Sequence, residues 1–284
     1  MAALLICGKF LPYFVITGPP GPQTKGRDER TIGPTASCRP HGRDLGDDQP
    51  GRRVRPKWKV VVTEGVDVPD QRGRTGLDQA GRDLTGNPRV RVRDVRLLAC
   101  NWYVLRATTF DYQHADGHWS TQQRETYDRG NGATVLLYDP ARRTVLLTRQ
   151  FRYPAYVNGH PDGMLLETAA GLLDDEAPEA AIRREAAEET GHTVGEVERV
   201  FSVYMSPGSV TERLHFYAAP YSAATRTAQG GGVAEEGEDI EVVELDFDHA
   251  LDLIRDGEIA DAKTIMLLQW AALNGPFSPA AGGL

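Results

Sequence analysis

Gly171-Leu-Leu-Asp-Asp-Glu176-Ala-Pro178-Glu179-Ala-Ala-Ile-Arg-Arg184-Glu185-Ala186-Ala-Glu188-Glu189-Thr190-Gly191 is the stretch on which the reading of this chain turns. Proline at an early position and glycine just past the last turn predict a helix over Pro178 to Thr190. On that helix Glu185, Glu188 and Glu189 stand at i, i+3 and i+4, inside an arc of about 100°. Three like charges on one face repel, and Arg184 is expected on roughly the opposite side, too far to relieve them. A hard divalent cation relieves them, because Mg²⁺ takes oxygen ligands, keeps several waters and completes its shell with phosphate. A Glu-rich face is ordinarily just solvated. Against that reading stands the context: a strand, Gly171, an acidic loop from Asp174 to Glu176, Pro178, the helix, then Thr190-Gly191.

Outward from the helix the texture is mostly strand. Upstream lie β-prone runs at Val90 to Leu98, Tyr103 to Tyr112 and Trp119 to Tyr127, with Asp116-Gly117 as a hairpin turn between the last two. Ala133 to Tyr138 and Thr144 to Phe151 flank the turn Asp139-Pro140. Further strands are predicted at Leu165 to Ala169, Val197 to Tyr204, Leu214 to Pro220 and Ile240 to Asp246. Two more helices are predicted at Asp248 to Arg255 and Asp261 to Leu273, where apolar residues recur at helical spacing. With no βαβ series and no internal repeat, the expected class is an α+β sandwich.

The 284 residues, 40% of them hydrophobic, suffice for one large or two small buried cores. Residues 1–88 hold 10 of the 18 prolines and 13 of the 30 glycines, and read as a disordered extension apart from a short β-prone run at Trp58 to Val62. A basic docking tail, or residues preceding the protein's true start, are the other readings of that segment. The apolar first 21 residues are interrupted by Lys9, Pro12 and Gly18, which excludes a span of ~20 apolar residues, with a signal peptide as the alternative. Three scattered cysteines form neither a disulfide framework nor a zinc site, so a cytoplasmic location is expected. Up to residue 88 there are 14 Lys+Arg against 10 Asp+Glu, and beyond it 18 against 30. So acidic a body does not suit a nucleic-acid backbone, and no membrane partner is expected either.

The strand, loop, helix and loop order resembles the box of the Nudix hydrolase family, G-x5-E-x7-R-E-U-x-E-E-x-G-U with U aliphatic. The match runs through Gly171, Glu176, Arg184, Glu185, Ala186, Glu188, Glu189 and Gly191. Two departures are visible: the loop from Gly171 to Glu176 is one residue short, and His192 stands at an aliphatic position. The shorter loop leaves the Arg184 partner open between Glu176 and Glu179.

From about Arg89 onward the chain is similar to the GDP-mannose pyrophosphatase branch of that family, near the ADP-ribose pyrophosphatases. The stretches that carry this are Arg124 to Ala133, Arg149 to Arg152, Met205 to Gly208, Gly230 to Val233, Glu238 to Val242 and Asp261 to Thr264. The resemblance implies a Nudix-type α/β/α sandwich with a mixed sheet over residues 131–276, preceded by an antiparallel β domain at 89–130 and followed by a tail at 277–284. It implies a domain-swapped homodimer whose leading strands complete the partner's site. It makes Trp102, Arg124, Glu125, Arg152, Glu212 and Lys263 candidate contacts to a nucleoside diphosphate sugar. Read singly, Arg124 and Arg152 are ordinary strand arginines, and Trp102 serves equally as interface core or as a stacking surface. Lys263 at a helix start is placed against the helix dipole, which favours a function for it.

By the same resemblance Glu185 and Glu189, with the backbone carbonyl of Ala170, hold Mg²⁺, or Mn²⁺ in its place, and Glu188 supports them. Glu238, on a Gly-rich loop expected to be mobile, is a further metal ligand or the general base; two extra residues before it leave Glu235 and Glu236 as alternatives. The implied reaction is attack of water on a pyrophosphate, taking GDP-mannose to GMP and mannose 1-phosphate. The alternatives are an ADP-ribose pyrophosphatase giving AMP and ribose 5-phosphate, and a non-catalytic module that senses a nucleotide sugar. His118, His160 and His215 share no metal-ligand spacing, and Ser206 and Ser209 have no triad partners.

Overall fold

The computed structural model describes residues 86–173, 176–233 and 237–279. Residues 1–85, with the expected strand at Trp58 to Val62, and residues 280–284 lie outside them. The described chain opens with an antiparallel meander of β1 (Val90–Cys100), β2 (Val104–Gln113) and β3 (Trp119–Asp128). The turn between β2 and β3 closes as expected: Gly117 has φ 89°, where only glycine is unstrained, and its N–H donates to the His114 carbonyl at 3.0 Å. Between these strands a fully buried pair forms, with Arg106 Nη1 donating to Asp128 Oδ2 at 2.7 Å.

A second sheet of seven strands contains β4 (Gly132–Asp139), β5 (Thr144–Phe151), β6 (Met164–Glu167), β7 (Ala169–Leu172), β8 (Glu198–Tyr204), β9 (Arg213–Pro220) and β10 (Glu241–Asp246). Its path runs β10-β5-β4-β9-β8, with β6 paired to β5 and β7 to β4. Only β4 and β9 are parallel, so the sheet is mixed.

Side-chain alternation sends successive residues to opposite faces. Ala133, Val135, Leu137, Leu146, Tyr217 and Ala219 meet Ala181, Ile182 and Ala186 of α2 (Pro178–Thr190). Leu136, Val145, Leu147, Leu214 and Phe216 face the other way, onto α3 (Phe247–Asp256) and α4 (Ala262–Leu273). Each buried Val, Leu, Ile or Phe among them contributes about 1.5–3 kcal/mol. The result is an α/β/α sandwich. No helix among the described residues is long and apolar enough to cross a membrane.

Two details depart from the sequence reading. The single strand expected at 165–169 is two strands, β6 and β7, because the Thr168 N–H donates to the Thr264 hydroxyl at 2.7 Å. A short helix, α1 (Tyr153–Val157), was not expected. Phe277 packs on Phe247 with ring centroids 4.2 Å apart, so the packed body reaches at least that residue. The end of β3 is stitched to the loop after β8: Tyr127 N–H donates to Ser209 at 2.7 Å and its carbonyl accepts from Thr211 N–H at 3.1 Å.

Candidate active site

Along α2, Ile182, Ala186 and Glu189 fall at i, i+4 and i+7, the spacing of a buried stripe. Glu189 therefore goes where an apolar side chain belongs and is only 2% exposed. One of its oxygens accepts the Ala170 N–H at 3.3 Å. Glu185 lies against the same strand, and any Cβ on Gly171 would run into its carboxylate, a physical reason for glycine there. Burial pushes the Glu189 carboxyl up to about 8, helped by the charges of Glu185 and Glu238 and opposed by Arg152. Burial likewise pushes Glu185 up to about 7, against the pull of Arg184 and with the repulsion of Glu188 and Glu238.

Arg184 is not on the far side of the helix. At 100° per residue it stands about 40° from Glu188, and its guanidinium reaches Glu188 at 2.8 Å, Glu185 at 3.1 Å and Glu176 at 3.3 Å. Glu176 is thus its loop partner, while Glu179 stands 3.8 Å from Arg183.

The far end of α2 is closed by other backbone. Gly191 ends it with φ 74°, and the N–H groups of Gly231 and Gly232 donate to the carbonyls of Glu189 and Glu188 at 2.9 and 3.1 Å. These carbonyls would otherwise lack partners. The glycines are therefore hydrogen-bonded to the carboxylate helix. They carry the chain on to Glu238, whose Oε2 accepts Val233 N–H at 2.8 Å and whose charge acts on both Glu185 and Glu189. Glu235 and Glu236 lie outside the described residues.

The neighbouring wall is cationic and centred on a residue the sequence reading missed. Glu167, 2% exposed, accepts from Arg152 Nε and Nη2 at 2.8 Å each and from Lys263 Nζ at 2.7 Å. Its only sequence signal is a carboxylate closing the run Met164-Leu-Leu, in phase with Leu165. Lys263 is also 3.1 Å from Asp261, the N-cap of α4, which answers its unfavourable place at a helix start.

The other candidates stand elsewhere. Trp102 lies between β1 and β2 and is 57% exposed. Arg124 is bonded within its own strand, to the Gln123 carbonyl at 2.7 Å and Gln122 Oε1 at 2.9 Å, and Glu125 is exposed beside it. Glu212 stands 3.6 Å from Arg129.

Among the described residues no three acidic, histidine or cysteine side chains form a ready-made cage for an ion. Glu185 and Glu188 lean on Arg184 instead. The donor set still fits a hard cation that draws its remaining ligands from main-chain oxygen, water and phosphate. One buried and one half-buried carboxylate that resist ionisation, Glu189 and Glu185, are what such a charge would relieve.

Residues 89–127 match the family described as the GDP-mannose pyrophosphatase NudK N-terminal domain, and residues 128–268 match the NUDIX domain. Nudix hydrolases generally use a divalent metal. The chain is 57% identical over 183 residues to a protein of Pectobacterium atrosepticum named GDP-mannose pyrophosphatase, spanning 64% of this chain and 94% of that one. It is 55% identical to one of the same name from Klebsiella pneumoniae, spanning 64% and 91%. A crystal structure of an ADP compounds hydrolase superposes with a TM-score of 0.50 at 17% identity, over 67% of this chain and 97% of that one, a likeness of fold. The chain with this carboxylate helix belongs to the Nudix hydrolases, in the branch of the GDP-mannose pyrophosphatases.

Proposed function

We propose that the protein hydrolyses the pyrophosphate bond of GDP-mannose, giving GMP and mannose 1-phosphate, with Mg²⁺, or Mn²⁺ in its place. The observation that carries the choice of substrate is identity above 50% to GDP-mannose pyrophosphatases over nearly their whole length. The complete set from Arg184 to Glu189 supports hydrolysis over mere binding, since a sensor has no need of every metal carboxylate.

In this reading Glu185 and Glu189, with the Ala170 carbonyl and Glu238, hold the metal, and Glu188 supports them through Arg184. The metal supplies neutralisation of phosphate oxygens and a water of lowered pKa. Arg152 and Lys263 bind non-bridging oxygens and hold the diphosphate in line. Water adds to one phosphorus, the bridging oxygen leaves with the other phosphate, and the water's proton passes to a base for which Glu238 is the candidate. The same reading carries a cytoplasmic homodimer in which Trp102, Arg124 and Glu125 of one subunit, and Glu212, complete a substrate site.

The test is a panel of GDP-mannose, ADP-ribose, ADP-glucose and NADH with Mg²⁺, the products separated by mass. GMP and mannose 1-phosphate are expected as the fastest products. Faster release of AMP from ADP-ribose would reassign the substrate, and turnover of none would leave the sensor.

A further inference from the structure

Both oxygens of Glu167 are engaged by cations: Oε1 by Arg152 Nε, Oε2 by Arg152 Nη2 and Lys263 Nζ. A carboxylate clamped between two cations is a poor proton acceptor, so its part is not that of a base. Nor is stability a sufficient reason for it. A buried ion pair recovers its desolvation penalty poorly, and apolar replacements of such pairs are often neutral or stabilising. What the arrangement does achieve is geometry. The fork fixes the plane of the Arg152 guanidinium and, among the described residues, leaves Nη1 unbonded on a side chain that is 40% exposed. Lys263 is held from two sides, by Glu167 and by Asp261, and Asp261 is itself locked by Thr264 N–H and hydroxyl at 3.0 and 2.6 Å. The charge of Arg152 is felt at Glu189 on the carboxylate helix, and Lys263 shares the Glu167 carboxylate with Arg152.

We propose that Glu167 is a positioning residue, which fixes Arg152 and Lys263 as a preset pair of cations aimed at the non-bridging oxygens of the substrate diphosphate. The inference rests on the function proposed above. A flexible lysine and arginine would have to be ordered by the substrate at each binding event, whereas here the ordering is done in the fold.

The test compares wild type, Glu167→Gln, Arg152→Lys and the double variant, with GDP-mannose and Mg²⁺, alongside thermal melting. Glu167→Gln keeps the shape and loses the charge; Arg152→Lys keeps the charge and loses the fork. Each is expected to lower kcat/KM by roughly ten- to hundred-fold, chiefly through a raised KM. The double variant should be little worse than either, because both changes undo the same arrangement. If Glu167→Gln melts earlier with KM unchanged, or the two losses simply multiply, the positioning role is overturned. Should Glu167→Gln fail to fold, Arg152→Lys decides alone: a wild-type KM there overturns the proposal. Wild type inert toward GDP-mannose would instead overturn the function, and the positioning role with it.

Discussion

Glu189 occupies a place that the register of α2 would give to a leucine, and the protein tolerates a buried acid there. Replacing Glu189 or Glu185 with Gln should keep the fold, as judged by circular dichroism, and reduce GDP-mannose turnover by about 100-fold or more. Near-normal rates in either variant would sink their assignment as metal ligands. Glu167 is the opposite case. Burial alone would raise its carboxyl, but the Arg152 fork and the charges of Lys263 and Arg152 outweigh that and hold it at about 2, below its ordinary 4.5. A depressed folded value means that ionising Glu167 favours the folded state above the unfolded value, an advantage lost as pH falls toward the folded one. Urea melts at about pH 6 and about pH 3 should therefore show the gap between wild type and Glu167→Gln narrowing in acid; a constant gap contradicts it. Glu185, Glu188 and Glu189 were legible because helical spacing and the surrounding motif agree. Glu167 was not, since a lone acid at the end of an apolar strand carries no periodic signal and its partners are 15 and 96 residues away.

Among the elements, α2 depends on its two glycine neighbours in different ways. A Cβ at Gly191 would meet the Ala228 carbonyl and force a left-handed backbone on alanine, so Gly191→Ala should cost about 2 kcal/mol in urea unfolding. A Cβ at Gly171 would strike the Glu185 carboxylate, so Gly171→Ala should lose activity out of proportion to its stability. Equal loss of both quantities in Gly171→Ala would refute that distinction. Most strands and helices were readable from alternation, turn residues and caps: the expected helix at 178–190 and strand at 144–151 coincide with α2 and β5. The strand at 165–169 was misread because its break is imposed by Thr264, distant in sequence. The helix at Tyr153–Val157 is too short to show a period, and its capping residue, Arg152, makes no side-chain cap.

At the scale of the molecule, Arg124 and Glu125 stand on the sheet of the three leading strands, separate from the one that carries α2, and Trp102 lies in the turn between the first two of those strands. If they serve a partner's site, Arg124→Ala and Glu189→Gln proteins, each weak or inert alone, should regain GDP-mannose hydrolysis when mixed and allowed to exchange subunits. No recovery, together with a monomer in sedimentation, would exclude the shared site. The expectation of subunit sharing rests on resemblance alone, because no local pattern says which chain a strand serves. The stitch between Tyr127 and residues 209 and 211 has its own consequence. Both backbone groups of one residue are taken by a short turn that begins at Ser206, where Val210 N–H donates back at 2.9 Å. Inserting or deleting a single residue in that turn would throw both bonds out of phase at once. The backbone bonds at the tip 114–118 close the hairpin on itself and reach no other element among the described residues, so inherited length variation should accumulate there and be purged between 206 and 211.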